Sequence, residues 1–141
     1  MLARFLAAEI LFYKDGTFKV ENLREKLAPV YAAALSENFT ESANPWGLPG
    51  VLDGLTGEHL LALGKVIVPE LVKLLDNNKR IYYEGSKEAT LGNHYGYRVK
   101  DLAAYYISTI KAIPFQIDEE PIKRDGEIDT LKHKLEQPER K

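Results

Sequence analysis

The sequence contains no cysteine among its 141 residues. This absence excludes a disulfide scaffold, a thiolate zinc site and a cysteine nucleophile. A long uncharged hydrophobic run is also missing, because charged side chains interrupt the most apolar stretch, residues 60–75. A membrane-spanning helix needs roughly 18 or more apolar residues with few or no charges. We therefore expect no transmembrane helix.

The chain has no marked excess of charge of one sign, since its formal net charge is −2. Residues 118–141 hold eight acidic and six basic side chains, which leaves 13 of each in residues 1–117. Proteins bind duplex nucleic acid through clustered Lys and Arg that neutralise phosphates, so a nearly neutral body excludes that role. The charge distribution predicts a single domain over residues 1–117 and a charged tail, which is either a short helix or disordered.

A secretory signal peptide is not apparent at the N-terminus. Arg4 and Glu9 lie within the apolar pattern of residues 1–13, and no small-residue cleavage site follows. We accordingly expect a soluble, cytoplasmic protein.

Apolar residues recur at helical spacing along most of the chain, which predicts an all-α fold. The predicted helices cover residues 2–13, 23–35, 58–67, 66–75 and 97–112, with a break near Gly64. Seven of the ten glycines fall in the two remaining stretches, residues 38–57 and 79–98. We predict that both stretches are loops.

The chain also contains an internal repeat. Residues 26–35 align with residues 66–75 at an offset of 40, so that Pro29 matches Pro69 and Leu35 matches Leu75. A period near 40 with paired helices is typical of HEAT and armadillo arrays.

The second unit resembles a HEAT repeat in having Pro69 within its first helix and Asp76 at the end of that helix. The resemblance covers about residues 20–113. It implies a short stack of antiparallel helical hairpins, in which Asp76 and Lys100 belong to an inner ladder of charged side chains. Two features depart from the family, because the long insert 79–98 replaces a short turn and Lys stands where Arg is usual. An irregular helical bundle is the alternative.

In such a stack, both predicted loops connect the first helix of a hairpin to the second, so they emerge on one edge, where repeat proteins often bind. Trp, Tyr and Arg dominate binding hot spots. The predicted partner-binding residues are Asn44, Trp46, Tyr82, Tyr83, Glu84, Asn93, His94, Tyr95, Tyr97 and Arg98. The alternative for Trp46 and some of the tyrosines is that they fold back over the helices.

These features lead to the hypothesis of a protein-binding module that needs no cofactor and has no assigned catalytic residue. In general character, though without a shared motif, the chain resembles bacterial immunity proteins, whose role implies that the loops cover a toxin's active site. The alternative is a metal-assisted hydrolase that uses His59, Glu84 and His94, although no His-Glu-x-x-His spacing supports it. A third alternative is a scaffold segment of a longer array.

Overall fold

The computed structural model describes residues 2–14, 20–37 and 44–138. Within these ranges the chain forms seven α-helices, one short 3-10 segment and no β-strand, so the all-α prediction is confirmed. The helices are α1 (Leu2–Lys14), α2 (Val20–Glu37), α3 (Leu55–Ala62), α4 (Val68–Val72), α5 (Ser86–Tyr95), α6 (Val99–Lys111) and α7 (Pro121–Glu136), and the 3-10 segment Gly64–Ile67 lies between α3 and α4.

The main helices pack largely in the order in which they occur in the chain. Helix α1 lies on α2 and α3, and α2 lies along α3, the 3-10 segment and α4. Helix α4 in turn packs on α6, and α6 contacts α7. The apolar core between these layers includes the fully buried Tyr31, Leu35, Leu60, Ile67, Leu71, Leu102 and Ile107.

The aligned prolines of the internal repeat occupy different helical positions. Pro29 lies in the interior of α2, whereas Pro69 lies in the first turn of α4, where proline is well tolerated. In the second copy the helix is broken, because Gly64 adopts a left-handed φ of +68° and the chain continues as a 3-10 segment. The two copies therefore share a sequence pattern but differ in backbone shape.

The stretch 79–98 contains a helix, α5, where the sequence predicts only a loop. The stretch has three glycines, and two of them, Gly85 (φ +89°) and Gly96 (φ +60°), flank the helix at its two ends. The third, Gly92, is buried within the helix, and a Cβ atom there would overlap the ring of Tyr83. Gly92 thus allows a close approach between α5 and residue 83 that any side chain would prevent.

The charged segment after residue 118 contains α7, which packs on α6 through Ile128 and Leu131. Both members of the implied charged ladder, Asp76 and Lys100, pair with α7. Asp76 Oδ1 lies 2.6 Å from Lys132 Nζ, and Lys100 Nζ lies 3.0 Å from Asp125 Oδ1. Helix α7 therefore lies close to both residues and presents the opposite charge to each.

Arg124 is the most unusual residue of α7, because its long cationic side chain is fully buried. Its Nη1 donates to the carbonyl of Asp118 at 2.8 Å, and its Nη2 donates to the carbonyl of Tyr95 at 2.6 Å. Its Nε lies 3.2 Å from Asp101 Oδ1, an ion pair that is not aligned as a hydrogen bond. The guanidinium carbon is 5.4 Å from the ring centroid of Tyr97, within cation–π range. One side chain thereby joins α7 to α6 and to the end of α5.

We predict that Gly92→Ala destabilises the protein by about 1–3 kcal/mol, because the new methyl group must displace the Tyr83 ring. Gly126→Ala is the matched control, since Gly126 also lies within a helix but a Cβ there meets no atom within 4 Å. The control variant is expected to be about 0.5–1 kcal/mol more stable than the wild type, because alanine loses less conformational freedom than glycine when the helix forms. Urea denaturation of both variants tests this contrast, and equal stabilities would contradict it.

We predict that Arg124→Met destabilises the protein by about 3–5 kcal/mol. The substitution leaves the carbonyls of residues 95 and 118 without their donor and removes one cation from the buried Asp101 carboxylate. Lys123→Ala, on the exposed side of the same helix, is the control, and we expect it to have little effect on the midpoint of urea denaturation. A small effect of Arg124→Met on the denaturation midpoint would show that the buried contacts do not hold α7.

We predict that Asp125→Asn makes the free energy of unfolding less dependent on pH in the acidic range. Partial burial alone raises the pKa of Asp125, but the ion pairs with Arg98 and Lys100 outweigh it and hold the pKa below its ordinary value. A carboxylate with a lowered pKa stabilises the folded state above about pH 4, and this contribution disappears as the pH falls through the folded-state pKa. The wild type should therefore exceed the variant in stability at pH 6, and the difference should vanish near pH 2. Asp129→Asn, at an exposed position with no ion pair among the described residues, is the matched control for the loss of one carboxylate.

Candidate interaction surface

The two stretches 44–57 and 79–98 contact each other through a side chain that imitates backbone pairing. Asn44 Nδ2 donates to the carbonyl of Glu84 at 2.8 Å, and the Glu84 N–H donates to Asn44 Oδ1 at the same distance. Asn44 has a φ of +52°, a left-handed conformation that asparagine tolerates better than most residues. Tyr83 adds a third link, because its hydroxyl donates to the carbonyl of Gly47 at 2.8 Å. The two stretches therefore form one connected surface.

The stretch 44–57 is also braced internally. The backbone N–H of Leu48 donates to the carbonyl of Leu52 at 2.8 Å, and the reverse bond measures 2.9 Å. The N–H of Gly57 donates to the carbonyl of Pro45 at 3.1 Å. The hydroxyl of Tyr106, on α6, donates to the carbonyl of Trp46 at 2.8 Å. These bonds fix the turn to the helical body.

Three of the ten predicted binding residues, Trp46, Tyr83 and Tyr97, are buried in the core. Trp46 stacks on Phe5 of α1 at 6.5 Å between ring centroids, and Tyr83 meets Tyr97 edge to face at 6.0 Å. Burial raises the pKa of Tyr97 to about 12. These side chains pack the loops onto the helices, as the alternative interpretation expected, and present little area to a partner.

Three further predicted residues, Asn44, Tyr95 and Arg98, are half-buried and have internal partners. Tyr95 stacks on Tyr97 at 5.1 Å. Arg98 Nε and Nη2 each donate to a different oxygen of Asp101 at 3.0 Å, a bidentate pair at the start of α6.

The remaining four predicted residues, Tyr82, Glu84, Asn93 and His94, are exposed. Tyr82 is 70% exposed, and the guanidinium carbon of Arg80 lies 5.8 Å from its ring centroid. Successive side chains of an extended segment point to opposite sides, which explains why Tyr82 faces solvent while its neighbours Ile81 and Tyr83 are buried. Aromatic composition alone does not distinguish these neighbours.

Sequence reasoning missed the apolar side chains at the tip of the first loop. Val51 is 66% exposed and Leu52 is 41% exposed in a hydrogen-bonded turn, and Leu55, the first residue of α3, is 51% exposed. We name residues 48–55 the apolar turn. The available signal was the apolar pair at 51 and 52 directly after a glycine, where turns usually carry polar residues.

The three residues of the alternative metal site do not come together. His59 Nδ1 lies 2.7 Å from Glu9 Oε1, and His94 Nε2 lies 2.7 Å from Glu119 Oε2. Glu84 is exposed, and only its backbone hydrogen bonds are present among the described residues. In residues 2–14, 20–37 and 44–138 no group of three His, Asp or Glu side chains could hold a metal ion.

Glu9, the partner of His59, belongs to a separate polar cluster that holds α1 against α2 and α3. Glu9 Oε1 accepts a hydrogen bond from the hydroxyl of the fully buried Tyr31 at 2.7 Å, and Glu9 Oε2 accepts one from Thr56 Oγ1 at 2.9 Å. The His59 ring stacks on Phe12 at 4.4 Å between centroids. Burial, together with the hydrogen bond to Glu9, raises the pKa of Tyr31. This cluster joins α1, α2 and α3 across the core.

No protein-family model matches the chain, and comparison with curated proteins and with solved structures finds no match either. None of the helices in the described ranges is both long enough and apolar enough to cross a membrane. Any assignment of function therefore rests on the surface itself.

Proposed function

We propose that this chain is a protein-binding module and that it captures its partner through the apolar turn and the exposed part of residues 79–98. The observation that carries this proposal is the exposure of Val51, Leu52 and Leu55 on a turn whose backbone is already fixed by hydrogen bonds. Single exposed apolar residues are ordinary in soluble proteins, whereas a cluster of them more often marks an interaction site.

The bracing of the turn supports the same proposal on energetic grounds. A partner that binds a mobile loop must offset the entropy lost when the loop becomes ordered, and a loop ordered in advance avoids much of that cost. The Asn44–Glu84 and Tyr106–Trp46 hydrogen bonds hold both loops in place in the free protein. Tyr82 adds a large exposed ring beside the cation of Arg80, a combination typical of binding hot spots.

We further propose that the helices carrying this surface form a short HEAT-like stack. The 40-residue repeat supports this, as does the packing of α2, α4 and α6 in succession. The backbone N–H of Lys100 donates to the carbonyl of Asn77 at 3.0 Å, which brings the start of α6 to the segment that follows α4, as in a helical hairpin. The narrower form of the proposal, a bacterial immunity protein whose loops cover a toxin's active site, is supported only by general character.

We predict that the double variant Val51→Glu/Leu55→Glu loses its partner while keeping the stability of the wild type. The two new carboxylates would have to be desolvated at the centre of the interface, so the dissociation constant should rise at least about 100-fold. Affinity capture from the cells of origin, with mass spectrometry, identifies the partner, and titration calorimetry with the purified pair measures the effect.

Ile122→Glu is the matched control, because Ile122 on α7 is 82% exposed and equally apolar but lies outside both loops. Unchanged affinity in the double variant, or an equal loss in the control, would contradict the proposal. For the narrower form, the captured partner must be a toxin, and the double variant must fail to protect cells that express it.

A further inference from the structure

A second open surface lies between α1 and α2, apart from the loops. It is a groove of about 530 Å³ whose apolar lining includes Ala7 and Leu11 of α1 and Leu23 and Leu27 of α2. Leu11 is exposed, and Leu23 and Leu27 are half-buried. The positions on α2 follow the spacing of one helical face, so the apolar lining runs along the helix axis.

The shape of this groove suits a helix better than an irregular segment. On the α1 side the lining residues Ala7 and Ala8 are short, which lets a neighbouring backbone approach closely. On the α2 side the leucines at 23 and 27 are four residues apart and form a ridge. Amphipathic helices that bind in grooves contact them through apolar residues at i, i+3 or i+4, and i+7. Residues at this spacing can pack against leucines that are four residues apart.

The charged residues that line the groove have one sign. Arg4 lies on the α1 side and Lys26 on the α2 side, and no carboxylate is among the lining residues that the structure describes. Both cations are exposed, and neither forms an ion pair within the part of the chain that the structure describes. A symmetric pair of copies joined through this groove would bring these cations near their own equivalents, which disfavours a second copy as the occupant.

The opposite end of the molecule shows how this chain covers a helix face. There α7 lies on α6 through Ile128 and Leu131, and at its flank Asp125 pairs with Lys100. An apolar stripe with an adjacent carboxylate thus meets an apolar face with an adjacent lysine. The α1–α2 groove also combines an apolar face with adjacent cations, and none of the described helices lies on it.

We propose that the α1–α2 groove binds an amphipathic helix of a partner protein, whose apolar stripe fills the groove and whose flanking Asp or Glu side chains pair with Arg4 and Lys26. This site is independent of the apolar turn.

The test uses two labelled synthetic peptides with the same leucine stripe at helical spacing. One peptide carries Glu on both flanks of the stripe and the other carries Lys, and fluorescence anisotropy measures their binding to the full chain. The wild type should bind the Glu peptide about tenfold more tightly than the Lys peptide, since two ion pairs replace two repulsions. The variant Arg4→Glu/Lys26→Glu should reverse this preference, a gain for the Lys peptide that misfolding cannot produce.

The variant Lys65→Glu/Lys134→Glu controls for net charge. It changes the charge of the chain by the same amount at two exposed positions outside the groove, and it should keep the preference of the wild type. The proposal is overturned if the wild type does not prefer the Glu peptide, or if the control variant reverses preference as fully as the groove variant does. Concentration-dependent self-association that Arg4→Glu/Lys26→Glu alters would assign the groove to a second copy and would also overturn it.

Discussion

The burial of one cation, the Arg124 guanidinium, is the constraint on which the C-terminal half of the molecule depends. Removing a guanidinium from water costs several kcal/mol unless its donors find acceptors. Arg124 finds them in backbone carbonyls before α7 and at the end of α5, and the carboxylate of Asp101 adds an ion pair without a hydrogen bond. Each of these groups must occupy one position for the cation to be satisfied. The bond to the Tyr95 carbonyl thus ties the end of α5, and with it the second loop, to α7.

The helical framework could be predicted from the sequence because periodic burial leaves a periodic pattern. Helix α6, with Leu102, Ala103, Tyr106 and Ile107 buried, shows this directly. Helix α5 could not be predicted because three glycines within residues 79–98 normally indicate a loop, whereas Gly92 serves a close contact with Tyr83. The packing of α7 could not be predicted for a different reason. Counting charges does not reveal that Asp125 and Lys132 pair with residues far away in the chain.

The candidate site was predictable only in outline. Contact between the two loops agrees with their equivalent positions in the 40-residue repeat. Which residues face outward was not predictable, because it depends on the direction of short extended segments such as 81–83 and on the buried area available to each ring. Tryptophan and tyrosine are as useful in a core as in an interface. In this protein Trp46 and Tyr97 lie in the core, and smaller aliphatic residues are exposed at the turn.

The burial of Trp46 has a practical consequence for studying this protein. It is the only tryptophan in the chain, its ring stacks on Phe5, and its indole N–H has no hydrogen-bond partner among the described residues. Its fluorescence therefore arises from one buried site where α1, the first loop and α6 meet. A shift of that emission to longer wavelength signals water entering this junction. The molecule thus carries an intrinsic spectroscopic probe of whether its first loop remains seated on the helices.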